Sequence, residues 1–215
     1  MPVTSFRTST QVGPEFISAS KDGLSARELE ALARDCHLYE ILPGTFVASD
    51  TAVDSTVRLR ALGANMGMKV AKQGVFARLT AAWVFGCAGV PDRFTMHVNR
   101  YHRPIKNYSP LTLLNLQVPV AAKDIRTVGE LSVTTIERTA VDLAMYPDGS
   151  ATHYALVRLL GKYQSLINVP AVMTYLETET ARRPHVRANF LAAVHEEGFE
   201  RLSARVKATG VGLLS

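Results

Sequence analysis

The tetrapeptide Ser25-Ala26-Arg27-Glu28, followed at once by an apolar stripe and then by a Pro-Gly turn, leaves the N-terminal part of this chain few ways to fold. A serine three residues ahead of a glutamate forms a capping box. The hydroxyl accepts from a free backbone N–H of the first turn, and the carboxylate reaches back to the N–H of the serine. Leu29, Leu32, Ala33 and Cys36 then recur at helical spacing, which predicts a helix over about 25–36 with Arg27, Glu30 and Arg34 on its other face. From Leu38 to Val47 apolar residues alternate around Pro43-Gly44, the pattern of a short β-hairpin. A capped helix running into a hairpin is the second half of a winged helix-turn-helix, where the helix enters the major groove and the hairpin touches phosphates. The same order also occurs in αβ units with no such role. Residues 1–15, with Thr, Ser, Pro and Gly and no steady period, read as a loosely held arm.

The body of the chain alternates helical and extended signals. A helix is expected over about 51–64, capped by Ser49 or Asp50, with Val53, Val57, Leu59 and Leu62 on its buried side. Gly63, Gly67 and Gly74 break the next stretch into turns around a short strand near 68–71. Residues 76–87 read as a compact apolar helix carrying Trp83, the sole tryptophan, as a core anchor. Strand signals follow at 93–99, 112–118 and 124–128, with a basic, aromatic, turn-rich connection from Arg100 to Pro110. Thr134-Thr135-Ile136-Glu137 reads as a second capping box, opening a helix to Met145, and Pro147-Asp148-Gly149 closes it. Four more helices are expected over about 151–165, 169–182, 185–196 and 199–208.

Charge is unevenly distributed. Among the 215 residues, with a net charge of +5, residues 58–106 carry Arg58, Arg60, Lys69, Lys72, Arg78, Arg93, Arg100, Arg103 and Lys106 against Asp92 alone. Such a stretch favours a polyanion, because neutralising phosphates releases condensed counterions. A solvated face balanced by acids from elsewhere in the fold would look the same in sequence. At 47% hydrophobic and 20% charged, the composition excludes a disordered chain.

Signals for catalysis are missing. There is no phosphate-binding G-x-x-x-x-G-K-[ST], no dinucleotide-type G-x-G-x-x-G after a strand, and no G-x-S-x-G. The six histidines include no i, i+4 pair around a carboxylate; His97 and His102, near Arg100 and Arg103, suggest phosphate contact or plain exposure rather than a metal site. Cys36 and Cys87 are read as two small buried hydrophobes. Arg138 and Asp142, four residues apart, suit a surface or half-buried structural ion pair. Glu196, Glu197 and Glu200 suit a solvated acidic face. No apolar run approaches the ~20 residues that cross a bilayer, and the N-terminus lacks a signal-peptide core. No catalytic residue, metal, cofactor or membrane partner is expected, and a cytoplasmic location is.

Four segments in order resemble the AbiEi family of type IV antitoxins, in the form of stand-alone actinobacterial regulators. They are Gly23 to Leu29, Leu42 to Val47 (similar to the family's wing strand), Arg78 to Gly86, and Leu131-Ser132-Val133-Thr134-Thr135-Ile136-Glu137-Arg138-Thr139-Ala140-Val141-Asp142-Leu143-Ala144. Together they cover about 16–145. The resemblance implies a winged-helix DNA-binding domain joined to an α+β domain, repression of the protein's own promoter and, in paired forms, opposition to a nucleotidyltransferase-type toxin. The family has a full helix ahead of the stretch matched by Phe16 to Asp22, so the winged unit reads as truncated. Some relatives continue into a nuclease-like domain after a region similar to Gly198–Arg205; the sequence to Ser215 lacks the carboxylate and lysine cluster of that chemistry, and nuclease activity is not expected.

The expectation is an α+β chain: an N-terminal arm and winged-helix-like unit over 1–48, and an α+β body with a helical C-terminal part over 49–215. It is expected to be a non-enzymatic regulator of its own promoter region, bound to duplex DNA. Ser25, Arg27, Arg34 and Thr45 are the helix and wing contacts, with Lys69, Lys72, Arg78, Arg100, His102, Arg103 and Lys106 on phosphates. The alternative is an interaction module that binds a nucleotidyltransferase-type toxin with weak or no DNA binding. Whether the chain forms a homodimer is left open.

Overall fold

A computed structural model describes residues 15–99, 111–147, 149–180, 183, 185–196 and 200–209. The chain is mixed α+β and forms two compact units, Met1–Val53 and Asp54–Ser215.

In the first unit, Ile17 exchanges both backbone hydrogen bonds with Phe46, each 2.9 Å. A single helical turn, α1 (Ala19–Asp22), follows and was not expected from sequence. Gly23 ends it at φ 71, a left-handed conformation that costs a glycine little. Helix α2 (Ala26–Arg34) then starts on the expected capping box. The Ser25 hydroxyl accepts from the Glu28 N–H at 3.3 Å, and the Glu28 carboxylate accepts from the Ser25 N–H at 2.7 Å. The hairpin forms as predicted from β1 (Leu38–Leu42) and β2 (Thr45–Ala48). Leu42 faces Thr45 across Pro43-Gly44, with Gly44 at φ 72, the conformation the third position of a type II turn requires. Leu29, Ile41, Leu42, Phe46 and Val47 make this unit's core.

Cys36 departs from expectation. Helix α2 stops at Arg34, and Cys36 lies beyond its cap at φ 60 with its side chain exposed. Cys87 is buried as expected.

The second unit is built on a five-stranded sheet in the order β5-β4-β3-β7-β6. Helix α3 (Ser55–Met66) begins later than predicted, because Asp54 rather than Ser49 or Asp50 caps it, accepting from the Val57 N–H at 2.8 Å. The strand expected near 68–71 is instead the helical turn α4 (Met68–Ala71), in which Val70 and Ala71 are both buried and no alternation holds. The helix expected over 76–87 is split. Val75–Phe76 is strand β3, and α5 (Arg78–Val84) carries the apolar run. Strand β4 (Arg93–Val98) runs antiparallel to β3 and parallel to β5 (Thr112–Gln117). A short 3-10 turn, Ala122–Asp124, leads into β6 (Ile125–Val128), which pairs with β7 (Leu131–Thr134) through the two-residue turn Gly129-Glu130. Strand β7 lies parallel to β3.

Helix α6 (Ile136–Met145) starts one residue later than the predicted capping box. Thr135, not Thr134, is its cap and accepts from the Arg138 N–H. The Thr134 hydroxyl is instead hydrogen-bonded to that of Thr139 at 2.7 Å. Helices α7 (Ser150–Tyr163), α8 (Val169–Thr180), α9 (His185–Val194) and α10 (Glu200–Ala208) complete the unit. Helix α6 packs against α5, α7, α8 and α9, and Ala140 to Met145 are all buried. Trp83 is the core anchor expected, 1% exposed, with its ring edge-on to Phe94 at 6.1 Å.

The approach of Gly74 to β4 is tight enough to test. A Cβ there would overlap the His97 carbonyl oxygen and come within 2.9 Å of the Val98 side chain, whereas a Cβ on Gly89 meets nothing within 4 Å. Gly74→Ala is expected to lower the unfolding free energy by about 1–3 kcal/mol. Gly89→Ala should leave it within about 0.5 kcal/mol. Equal denaturation midpoints for the two variants would contradict this packing.

Candidate functional site

The DNA-contact candidates of the first unit fall on two elements. Arg27 and Arg34 are seven residues apart on α2, almost two full turns, so they share one face, and both are exposed. Ser25 is committed to the cap, and its backbone N–H holds the Glu28 carboxyl below the usual carboxylate range. Thr45 is a correction: at 3% exposed it belongs to the interior of the hairpin and offers no surface contact. Glu40, whose carboxylate accepts from the Gly44 N–H at 2.8 Å, stabilises the turn from within the hairpin.

The described cations of the basic stretch sit in different surroundings. Arg58 lies over the Trp83 ring at 5.3 Å. Lys72 is ion-paired with Glu130. Arg78 stacks its guanidinium 3.6 Å from the Tyr146 ring centroid and is only partly exposed. Lys69 and Arg93 are exposed. Arg100, His102, Arg103 and Lys106 lie outside the described residues. Of the acidic group, Glu196 is exposed and sits 3.1 Å from His153 Nε2; Glu197 lies outside the described residues.

The most perturbed chemistry lies where sequence gave a different expectation. His97 is not exposed but 1% accessible, on the buried strand β4. Its Nδ1 faces Asp142 Oδ2 at 3.9 Å, too long for a hydrogen bond, and neither ring nitrogen has a partner. Asp142, expected at the surface or half-buried, has no exposed side chain. Its Oδ1 accepts from Arg138 Nε at 2.9 Å, and Oδ2 is unpartnered. Burial pushes Asp142 up to about 6, against the pull of the Arg138 and Arg78 guanidiniums, while Asp124 adds a further upward push. Burial, and after it the positive charges of Arg138 and Arg78, lower His97 to about 4. At neutral pH the imidazole is therefore uncharged and the contact is not an ion pair; Asp142 is ionised and compensated by Arg138. Burial and the adjacent Asp124 also raise the Tyr175 phenol.

This cluster reads as a structural centre. Its neighbours in the same segment are each engaged: Glu137 Oε1 accepts from the Asn168 N–H at 2.8 Å, and Thr139 donates to the Thr135 carbonyl at 2.7 Å. Among the described residues, no group of three or more His, Cys, Asp or Glu is placed to hold a metal ion. No described helix is long and apolar enough to cross a membrane. No protein-family model and no curated protein matches the sequence.

The buried histidine gives stability a pH signature. Its folded value near 4 lies below the unfolded value of 6.5, so between these the unfolded chain binds more protons and the native state loses stability as pH falls. Asp142 acts oppositely, its raised value relieving a cost as pH falls below about 6. His97→Gln removes the first effect alone. Between pH 7 and pH 5 the variant is expected to gain roughly 1–2 kcal/mol relative to the parent in chemical unfolding. Parallel pH profiles would mean that His97 is not held neutral.

Proposed function

We propose that the chain is a DNA-binding transcriptional regulator of AbiEi type, acting on duplex DNA of its own promoter region in the cytoplasm. The observation that carries this reading is the order within the first unit: an extended residue, Ile17, paired to β2; the short α1; a left-handed glycine; the capped α2; and the β1–β2 hairpin. In a winged helix the strand before the second helix pairs with the wing, and the next helix reads the groove. The first unit is, on this reading, a winged helix without a described first helix. Helix α2 is its recognition helix, with Arg27 and Arg34 facing the DNA, and the Pro43-Gly44 turn is the wing tip.

Charge sets how such a unit binds. Residues 15–53 carry Lys21, Arg27 and Arg34 against Glu15, Asp22, Glu28, Glu30, Asp35, Glu40 and Asp50. Counterion release is therefore small from this unit, and non-specific attraction must come from cations elsewhere, Lys69 and Arg93 among them. The same acid excess favours the second reading, an antitoxin module holding a basic face of a nucleotidyltransferase-type toxin with weak or no DNA binding.

A gel-shift series on the region upstream of its own gene, from low to physiological salt, separates the two. The DNA reading expects a shift at low salt that weakens with ionic strength. The Arg27→Ala/Arg34→Ala double variant should lose at least about tenfold in affinity without losing its fold. No shift at low salt, together with co-purification of the adjacent gene's product, would establish the second reading instead.

A further inference from the structure

The second unit contains a cavity of about 720 Å³, within the range of small-molecule sites, and two side-chain polar atoms of its lining residues, Arg78 Nε and Thr152 Oγ1, make no hydrogen bond. Arg78 lines it from the start of α5. Its backbone is held at φ 55, a conformation that costs a non-glycine residue free energy, and Tyr146 fixes its guanidinium by stacking. The buried Nε makes no hydrogen bond, and among the described residues no carboxylate lies within ion-pairing distance of Arg78. Asp142, the acid that acts on it electrostatically, has its carboxylate bound to Arg138. A partly buried cation in a strained, stacked pose with an idle donor is a group arranged for an anion.

Two further features converge there independently. Thr152 lines the cavity, is 2% exposed, and its hydroxyl has no hydrogen-bond partner. It lies in the first turn of α7, a helix of 14 residues whose cap, Gly149, supplies no side chain to the free N–H groups, so partial positive charge remains at that end. Arg93 lines the cavity as well, exposed and without an ion pair among the described residues; Asp92 beside it is the one acid among the described residues of the wall. Leu79 and Val90 make part of the wall apolar.

We propose that this cavity binds a small phosphate ester: the phosphate against Arg78, Thr152 and the start of α7, the organic part against Leu79 and Val90. Two guanidiniums suit a dianion better than a carboxylate, and the volume exceeds what phosphate alone fills. In a regulator such a ligand is an effector, but binding at this site does not depend on the DNA reading.

Titration calorimetry with phenyl phosphate and inorganic phosphate as probes tests the proposal on the full chain. Phenyl phosphate is expected to bind, inorganic phosphate more weakly. Arg78→Gln should weaken phenyl phosphate at least about tenfold, and Thr152→Val about threefold to tenfold. Arg93→Gln and Thr152→Val keep the test decisive if Arg78→Gln fails to fold. The proposal is overturned by absence of binding of either probe, or by unchanged affinity in the folded variants. Displacement of bound phenyl phosphate by duplex DNA would assign the site to a nucleic-acid backbone and overturn the small-molecule assignment.

Discussion

Asp142 is an ionised carboxylate with no exposed surface, and the second unit is organised around the need to compensate it. The free energy of burying a lone charge is several kcal/mol, so the partner has to be fixed in place rather than merely nearby. Arg138, one turn earlier on the same helix, supplies that partner at 2.9 Å. Because both belong to α6, the pair survives any small movement of the helix as a body. It also obliges α6 to lie where other groups can tolerate a charge: His97 of β4 stays neutral opposite it, and Arg78 at the start of α5 adds a second positive field. Three elements are thereby registered against one carboxylate, with α5 and α6 in contact.

Arginine in this unit serves structure more than net charge suggests. Arg58 covers Trp83, Arg205 donates to the carbonyls of Gln164 and Ile167 at 2.5 and 2.8 Å beyond α7, and Arg138 neutralises Asp142. A planar guanidinium suits all three tasks: it stacks on rings and satisfies carbonyls at helix ends while keeping its charge. Arg78 is the exception in this set, stacked like a structural residue but with a donor left idle.

Much of the local structure was legible from sequence, because capping and turn chemistry act over a few residues. The Ser25–Glu28 box, the Pro43-Gly44 turn and the limits of the C-terminal helices, to within a few residues, are of this kind. Strand β3 was not, since two residues cannot display a period of two, and Phe76 reads in sequence as the start of the apolar helix that follows. Strand β7 hides inside a segment read for its helix start. The polar centre was misplaced for a different reason. An Arg and an Asp four apart look the same on a surface helix and in a core, so their spacing carries no information about burial. Nor did sequence mark His97 as buried: Phe94-Thr95-Met96-His97-Val98 alternates apolar and polar residues, the pattern of a strand with one wet face, whereas Phe94 to Val98 are all buried.

The central functional claim is that α2, not the arginine-rich body, is the element that reads DNA. Its N-terminal cap fixes where the helix begins, and the hairpin that follows continues the same compact unit, so a duplex contacting one unit would sense both α2 and the turn. The most direct measurement is a backbone amide NMR titration of the labelled full chain with the duplex upstream of its own gene. The account predicts the largest shift changes over Ala26–Arg34 and at Gly44, saturating together. Saturable changes confined to residues of the second unit, with α2 unmoved, would contradict it.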